Sequence, residues 1–439
     1  MKIQPQTSRG CNTNNCIPGT ALGATWDAGL LRRSGDAMAQ ETIAKGAAVL
    51  LGPTINMQRG PLGGRGFESF SEDPVLAGAL AAAEVNGIQS RGVSATIKHF
   101  VCNDLEDKRM ASNAIVTPRA MREIYLKPFQ IAQRDAKPWC YMTAYNLING
   151  LHCSENEWLL QEVLRGEWGF DGLVMSDWFG TYSTTESIKA GLDLEMPGPT
   201  YVRGKLIEQA LGCGKLLMHH LDARVFEVLK LIKKTLPLNI PSDAEEKTID
   251  TPETAAMLRE VAAASIVLLR NEKSILPLSK EKTTAVIGPN AEFAAFSGGG
   301  SASLRPYYAI SPLDGVRNKV KDSQYELGAP GWMRLPLITE MSKTKKGEKG
   351  LDMTIYLEPH GSKDQKAVHS KPVESSSLPL SDFKHPKVPT ELFYGDLDGQ
   401  ITPDQTSDYE FSCSVAGTAK IFVNSEVSYP PKYMPRVHH

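Results

Sequence analysis

Between residues 48 and 177 the chain keeps returning to one pattern, in which a short apolar run stops at polar residues and a helical stretch leads to the next run. The runs are Ala48-Val49-Leu50-Leu51-Gly52-Pro53, Ala95-Thr96-Ile97, Trp139-Cys140-Tyr141-Met142-Thr143-Ala144-Tyr145-Asn146 and Gly172-Leu173-Val174-Met175. Each is short and bounded by turn residues, so it reads as a strand buried on both faces. Strands that alternate with helices make a parallel sheet, and the repeated unit is the signature of an α/β barrel.

The last run ends abruptly in Ser176-Asp177-Trp178. In such a barrel the carboxyl end of a strand is where catalytic side chains sit, which makes Asp177 a candidate. The competing reading is that Asp177 only caps the following helix, Ser183 to Ala190, because Asp is a common N-cap.

Other strand ends are equally polar. Lys98-His99 follows Ile97 directly, and a cation beside an imidazole is either hydrogen-bonded structurally or aimed at a hydroxyl-rich ligand. Asn103, Glu106 and Arg109 in the same loop favour the ligand. Tyr145 stands where its strand turns polar and can hydrogen-bond a carboxylate, whereas Met142 reads as core. The loop Arg59-Gly60-Pro61-Leu62-Gly63-Gly64-Arg65-Gly66-Phe67-Glu68 lacks nucleotide-binding spacing. It offers either close backbone approach with Arg65 as a donor, or arginines that merely pair with Glu68, Glu72 or Asp73.

Helices are expected from Asp27, as cap, through Leu31, Met38 and Ala44; over Val75–Arg91; from Thr117, as cap, with Pro118 in the first turn; and over Glu155–Trp168. After Leu216 the pattern is helical to Ile232, and the polar stretch Pro241–Thr251 reads as a linker. A second α/β segment opens at Glu253 with a helix to Ser265 and strands Ile266–Asn271 and Thr284–Pro289. Lys343–Lys349 and Ser362–Ser381 read as joins. Met353–Leu357, Tyr409–Val415 and Ala419–Val423 alternate as antiparallel strands.

A formal charge of −2 over 439 residues leaves no footprint for nucleic acid or an anionic membrane, so a small neutral substrate fits better. No apolar stretch approaches the roughly 20 residues of a membrane span, and the start lacks the apolar core of a signal peptide. Seven cysteines, with no His or Cys pair answering Cys11 and Cys16, read as isolated thiols. No metal or cofactor is expected, and the chain as written reads as cytoplasmic.

Gly64-Arg65-Gly66-Phe67-Glu68-Ser69-Phe70-Ser71-Glu72-Asp73-Pro74, Lys98-His99-Phe100 and Met175-Ser176-Asp177-Trp178, in this order, closely resemble fungal β-glucosidases of glycoside hydrolase family 3. The resemblance runs from Pro18 to about Glu426. It implies that Asp177 is the nucleophile of a retaining enzyme, that Arg65, Lys98, His99 and Arg109 bind glucose hydroxyls, that Tyr145 supports the nucleophile and that Trp178 borders the pocket. It implies secretion for full-length members and a glucoside or short oligosaccharide as substrate. The fold expected is an incomplete (β/α)8-type barrel over 1–215, its first strand missing, then a helical linker over 216–252. A partial α/β sandwich follows over 253–340, the start of a protective-antigen-type antiparallel β-sandwich insert over 347–426, and a divergent tail over 427–439.

Two departures accompany the resemblance. The Asp-Gly-Pro-x-Gly-x-Arg segment of the family is replaced by Thr7 to Asn15, and the acid/base glutamate of this subfamily has no counterpart. A chain truncated at both ends is the expectation, with an inactive remnant as the alternative reading. An N-acetyl-β-glucosaminidase ranks below both, because Lys98-His99-Phe100 is followed by Val101-Cys102-Asn103 and not by Pro-Gly-His-Gly.

Overall fold

A computed structural model describes residues 3–4, 17–302, 306–329 and 337–378, with shorter pieces between 385 and 429. Cys11, Cys16, the Thr7–Asn15 departure and the tail from Pro430 lie outside the described residues. The chain divides into two units, one covering residues 1–326 and one covering 327–437.

The first unit is built on a parallel sheet whose strands pair in chain order: Ile3–Gln4, Val49–Leu50, Ser94–Phe100, Cys140–Thr143 and Leu173–Met175. Where the sequence shows no first strand, Ile3 and Gln4 pair with Val49 and Leu50 at the edge. Leu194 bridges to Met175 on the other side. All seven residues of Ser94–Phe100 are buried, as expected of a strand covered on both faces.

Helices cover the sheet, and local chemistry fixes their starts. The Asp27 carboxylate accepts from Gly29 and Leu30 N–H at 2.7 and 3.1 Å and opens helix Ala28–Ala44. Asp73 does the same for Pro74–Gln89, with Pro74 in the first turn, and Thr117 caps Pro118–Ala120. A π-helical turn, Met121–Tyr125, then leads into Lys127–Ala136, and Trp158–Glu167 is wound the same way. Helices Ala28–Ala44 and Pro74–Gln89 touch backbone to backbone. A Cβ on Gly35 would lie 2.3 Å from the Glu84 carbonyl oxygen, and one on Gly87 would lie 2.1 Å from that of Arg32.

Glu84 faces this interior at 3 % exposure, and its Oε2 has no hydrogen-bond partner among the described residues. Burial pushes its carboxyl up to about 8 from an ordinary 4.5. Because the folded state holds the proton more tightly, the stability this group contributes is complete below pH 4.5 and is lost as pH rises towards 8. Glu84→Gln is therefore expected to unfold with the wild type at pH 4.5 and to exceed it by roughly 3–5 kcal/mol above pH 8. Thermal unfolding of both proteins across that range checks this, and parallel curves refute it.

Downstream of the sheet, Met218–Thr235 is helical, and Pro252–Ala264 is a helix capped by Thr251. Thr284–Ile287 pairs in parallel with Ser323–Glu326. Ile266–Asn271, expected as a strand, is not one. Ile266, Val267, Leu268 and Leu269 are 61–91 % exposed, and a strand needs a neighbour that accepts its hydrogen bonds, which none of the described residues provides here.

In the second unit Leu351–Tyr356 is the centre of an antiparallel sheet, paired with Ala367–Val373 and Tyr394–Asp398. Its inward residues Leu351, Met353 and Ile355 make a small core with Val373 and Val388. The serine-rich stretch 362–381, expected as a join, supplies one of these strands. Even a polar sequence forms an edge strand when its partner's alternation provides the buried face. Ser342–Lys343 also pairs, with Gln400–Ile401. The described part of Tyr409–Val415 forms no strand, whereas Ile421–Val423 does, pairing with Glu426–Tyr429.

The described cysteines, 102, 140, 153, 213 and 413, are free. No described helix is long and apolar enough to cross a membrane, and no described cluster of three or more metal-ligating side chains exists.

Candidate active site

The sheet delivers three polar strand ends to one place. Asp177 follows the strand Leu173–Met175 and is 9 % exposed. It caps nothing: the next helix, Thr185–Ala190, has Thr184 at its N-cap position, so the capping alternative does not describe this carboxylate. Asp177 instead opens the turn Asp177-Trp178-Phe179-Gly180, closed by the Gly180 N–H on the Asp177 carbonyl at 3.0 Å. A second hydrogen bond, from Phe179 N–H to the Met196 carbonyl at 2.8 Å, ties this turn to the segment that bridges Met175.

Lys98 and His99 lie near the carboxyl end of Ser94–Phe100, two strands from Leu173–Met175 in the sheet, at 5 % and 1 % exposure. His99 is clamped by Asn56, whose amide donates to the His99 carbonyl at 2.8 Å while its Oδ1 accepts the His99 backbone N–H at 2.9 Å. These two hydrogen bonds together fix which end of the Asn56 amide is oxygen. His99 Nδ1, 3.2 Å from the same Oδ1, must then be the protonated nitrogen. Burial lowers the ring's titration well below its ordinary 6.5, helped by Arg65, Lys98 and Arg109, so the imidazole is neutral. Its Nε2, 3.4 Å from Asp177 Oδ2, presents a lone pair and no ionic partner. A hydroxyl placed there can donate to it.

Arg65 is held by Glu68 through two bonds, 2.8 and 2.9 Å, and Glu68 also accepts from Thr54 Oγ1 at 3.1 Å. Glu106 takes Arg109 at 2.7 Å and Asn103 at 3.0 Å and lies 3.9 Å from Arg65. Gly64, at φ +90°, lets the loop settle on Glu106, where a Cβ would come within 2.9 Å of that side chain. Pairing with Glu68 and closeness to the strand ends thus coexist at Arg65. Arg59 turns away, to the Tyr125 hydroxyl at 3.0 Å.

Tyr145 is buried at 2 % exposure, with the Arg109 guanidinium 4.4 Å from its ring centre. Its hydroxyl is directed at Asp177, and burial beside that carboxylate keeps it protonated, hence a donor. Burial raises the Asp177 carboxyl above its ordinary 3.8, against the pull of Arg65, Lys98, the Tyr145 hydrogen bond and Arg109. Trp178 packs against the core around Met142, Met175 and Leu231.

The candidate residues are therefore brought around one carboxylate: Lys98, His99 and Tyr145 from strand ends, Arg65 and Arg109 from loops. Sequence reasoning named Glu68 as a partner of the loop arginines but passed over Asn56, Thr54 and the part played by Glu106 as the holder of Arg109. Thr54 and Asn56 follow the run that ends at Pro53, and the rule that polar residues beyond such runs line the site reaches them too. The arrangement is a negative group set among cations and donors, suited to a neutral, hydroxyl-rich ligand.

Comparison with known proteins agrees with this chemistry. Residues 6–231 match the description "Glycosyl hydrolase family 3 N terminal domain", and 266–410 match "Glycosyl hydrolase family 3 C-terminal domain". A probable beta-glucosidase I of Aspergillus clavatus is 52 % identical over 414 residues, which is 94 % of this chain and 49 % of the relative. One from Emericella nidulans is 52 % identical over 97 % of this chain and 52 % of its own length. The chain thus spans about half the length of the curated relatives it matches. A beta-glucosidase from Kluyveromyces marxianus in complex with glucose superposes with a TM-score of 0.84 at 48 % identity, over 88 % of this chain and 48 % of that one. Beta-glucosidase 3B from Thermotoga neapolitana in complex with glucose gives 0.65 at 43 % identity, over 70 % and 44 %.

Proposed function

The chain belongs to glycosyl hydrolase family 3, and from that premise we propose that it carries the glucose-binding site and the nucleophile of a retaining β-glucosidase. The substrates are terminal, non-reducing β-D-glucosyl residues of small glucosides and short oligosaccharides. The observation that carries this reading is the buried Asp177 carboxylate at a parallel strand's carboxyl end, with Arg65, Lys98 and Arg109 pulling on it and Tyr145 offering it a hydrogen bond. Relatives whose structures hold glucose support the sugar class.

In the first step an Asp177 oxygen attacks the anomeric carbon. The bond from that carbon to the aglycone oxygen breaks, and its electron pair leaves with the oxygen. A glycosyl ester on Asp177 results, which water then opens. The Tyr145 hydroxyl steadies the carboxylate, the neutral His99 accepts from a sugar hydroxyl through Nε2, and Lys98, Arg65 and Arg109 donate around the ring. The burial of Asp177, Lys98, His99 and Tyr145 strengthens each of these contacts.

2,4-Dinitrophenolate leaves without being protonated, so its 2-deoxy-2-fluoro-β-glucoside isolates the Asp177 step. The expected result is one fluoroglucosyl group on the peptide holding Asp177 and one equivalent of dinitrophenolate released. The labelling rate should fall as pH drops through the Asp177 titration, with a midpoint above the ordinary 3.8. A folded sample that stays unlabelled overturns the proposal.

A further inference from the structure

Tyr145 lies beyond the last residue of its strand, Thr143, where the ladder no longer fixes its carbonyl. Two side chains from different parts of the chain take over. His152 Nδ1 lies 3.0 Å from the Tyr145 carbonyl oxygen, and the Tyr182 hydroxyl lies 3.1 Å from the same atom. A carbonyl only accepts, so His152 carries its proton on Nδ1, and both lone pairs of the oxygen are taken. The two rings stack on each other, centres 3.7 Å apart and planes 26° from parallel.

Local sequence explains how they meet. Leu147–Ile148 pairs antiparallel with Leu151–His152 across Asn149-Gly150, both at positive φ, the two-residue turn that returns the chain with the twist strands prefer. His152 thereby comes back beside the residues it left. Tyr182 arrives from the other direction, after Asp177 and just past Gly180. A Cβ on Gly180 would press the Tyr145 ring at 3.2 Å. Backbone and ring of Tyr145 are thus held by His152, Tyr182, Gly180 and Arg109.

We propose that His152 and Tyr182 are positioning residues for glycosyl transfer to Asp177, acting through the Tyr145 carbonyl to hold the Tyr145 hydroxyl on the nucleophile. The inference rests on the nucleophilic role given to Asp177 above. The effect of His152 and Tyr182 is on the oxygen that attacks, because a displaced Tyr145 leaves the carboxylate with one donor fewer, and a donor misplaced by about 1 Å can cost on the order of 100-fold in rate.

The test compares His152→Ala, His152→Asn and Tyr182→Phe in the full chain, each alone and in a Tyr145→Phe background. Labelling by the dinitrophenyl fluoroglucoside is expected to slow about tenfold in His152→Ala and several-fold in Tyr182→Phe. His152→Asn, whose amide can replace the Nδ1 donor, should recover most of the rate. In the Tyr145→Phe background the same changes should have almost no further effect, which is the signature of action through that hydroxyl. Binding of the cationic iminosugar 1-deoxynojirimycin reads the Asp177 charge without turnover, and its acidic midpoint should move upward in His152→Ala. The groups facing Asp177, namely Arg65, Lys98, His99, Arg109, Tyr145 and Tyr182, are unchanged in that variant. Equal slowing with and without the Tyr145 hydroxyl, or a loss of melting temperature with no change in rate or midpoint, overturns the inference alone. A folded wild type that neither labels nor binds the iminosugar overturns the function and this inference together.

Discussion

Asp177→Ala is expected to abolish labelling by the fluoroglucoside and turnover of 2,4-dinitrophenyl β-glucoside, a loss of at least about 10⁴-fold. The size follows from what remains. Glu68 and Glu106 are the acidic groups that hold Arg65 and Arg109, each within 2.9 Å of its arginine, and neither is free to replace the lost oxygen. Removing the carboxylate also opens room for a small anion among Arg65, Lys98 and Arg109. Sodium azide or formate is therefore expected to restore part of the turnover, and attack from the vacated side gives α-glucosyl azide as the azide product. Product analysis by NMR checks this. Undiminished labelling in the alanine variant, or a β-configured azide, would show that the nucleophile lies elsewhere.

The second large effect is on stability. Asp193 is buried, accepts from the Val174 N–H and Arg165 at 2.7 Å each, and meets Arg224 at 2.9 Å. Burial pushes its carboxyl up to about 6 in spite of both arginines. At pH 7 it is the anion that lets the buried Arg224 and the half-buried Arg165 stay, with Glu227 4.0 Å from Arg165 as a weaker second. Asp193→Ala leaves those cations and a strand N–H uncompensated, and about 3–5 kcal/mol of stability should be lost. Because Val174 sits in the strand that carries Asp177, labelling should weaken at temperatures where the variant is still folded. Urea unfolding at pH 7 checks the first effect, and a midpoint within error of the wild type refutes it.

How much of this was legible depends on the range over which each feature is decided. Buried strands could be read because Leu173-Val174-Met175 and Ala95-Thr96-Ile97 announce themselves by composition, and helix starts because Asp27, Asp73 and Thr117 cap locally. Ile266–Asn271 looks equally strand-like, yet pairing is a property of two segments and no described neighbour answers it. Ala367–Val373 errs the other way, since its partner Leu351–Tyr356 imposes a strand on a polar stretch. At the site, residue types and strand ends pointed to Asp177, Lys98, His99 and Tyr145. The protonation of His99 did not follow from them. It depends on the orientation of Asn56, 43 residues away, and only the folded chain brings that amide to the ring.

The sheet's strands pair in the order in which they occur in the chain, and the last four each add residues to the candidate site. During synthesis the pocket is therefore assembled in instalments: Thr54 and Asn56 first, then Lys98 and His99, then Tyr145, then Asp177. Its turn is tied down only once Met196 has left the ribosome. From Thr54 to Met196 is about 140 residues, or roughly 7–28 s at about 5–20 residues per second. Until Asp177 follows, the nascent chain displays Arg65, Lys98 and Arg109 without the carboxylate they surround, so the proposed site is complete only when the residues up to Met196 have folded together.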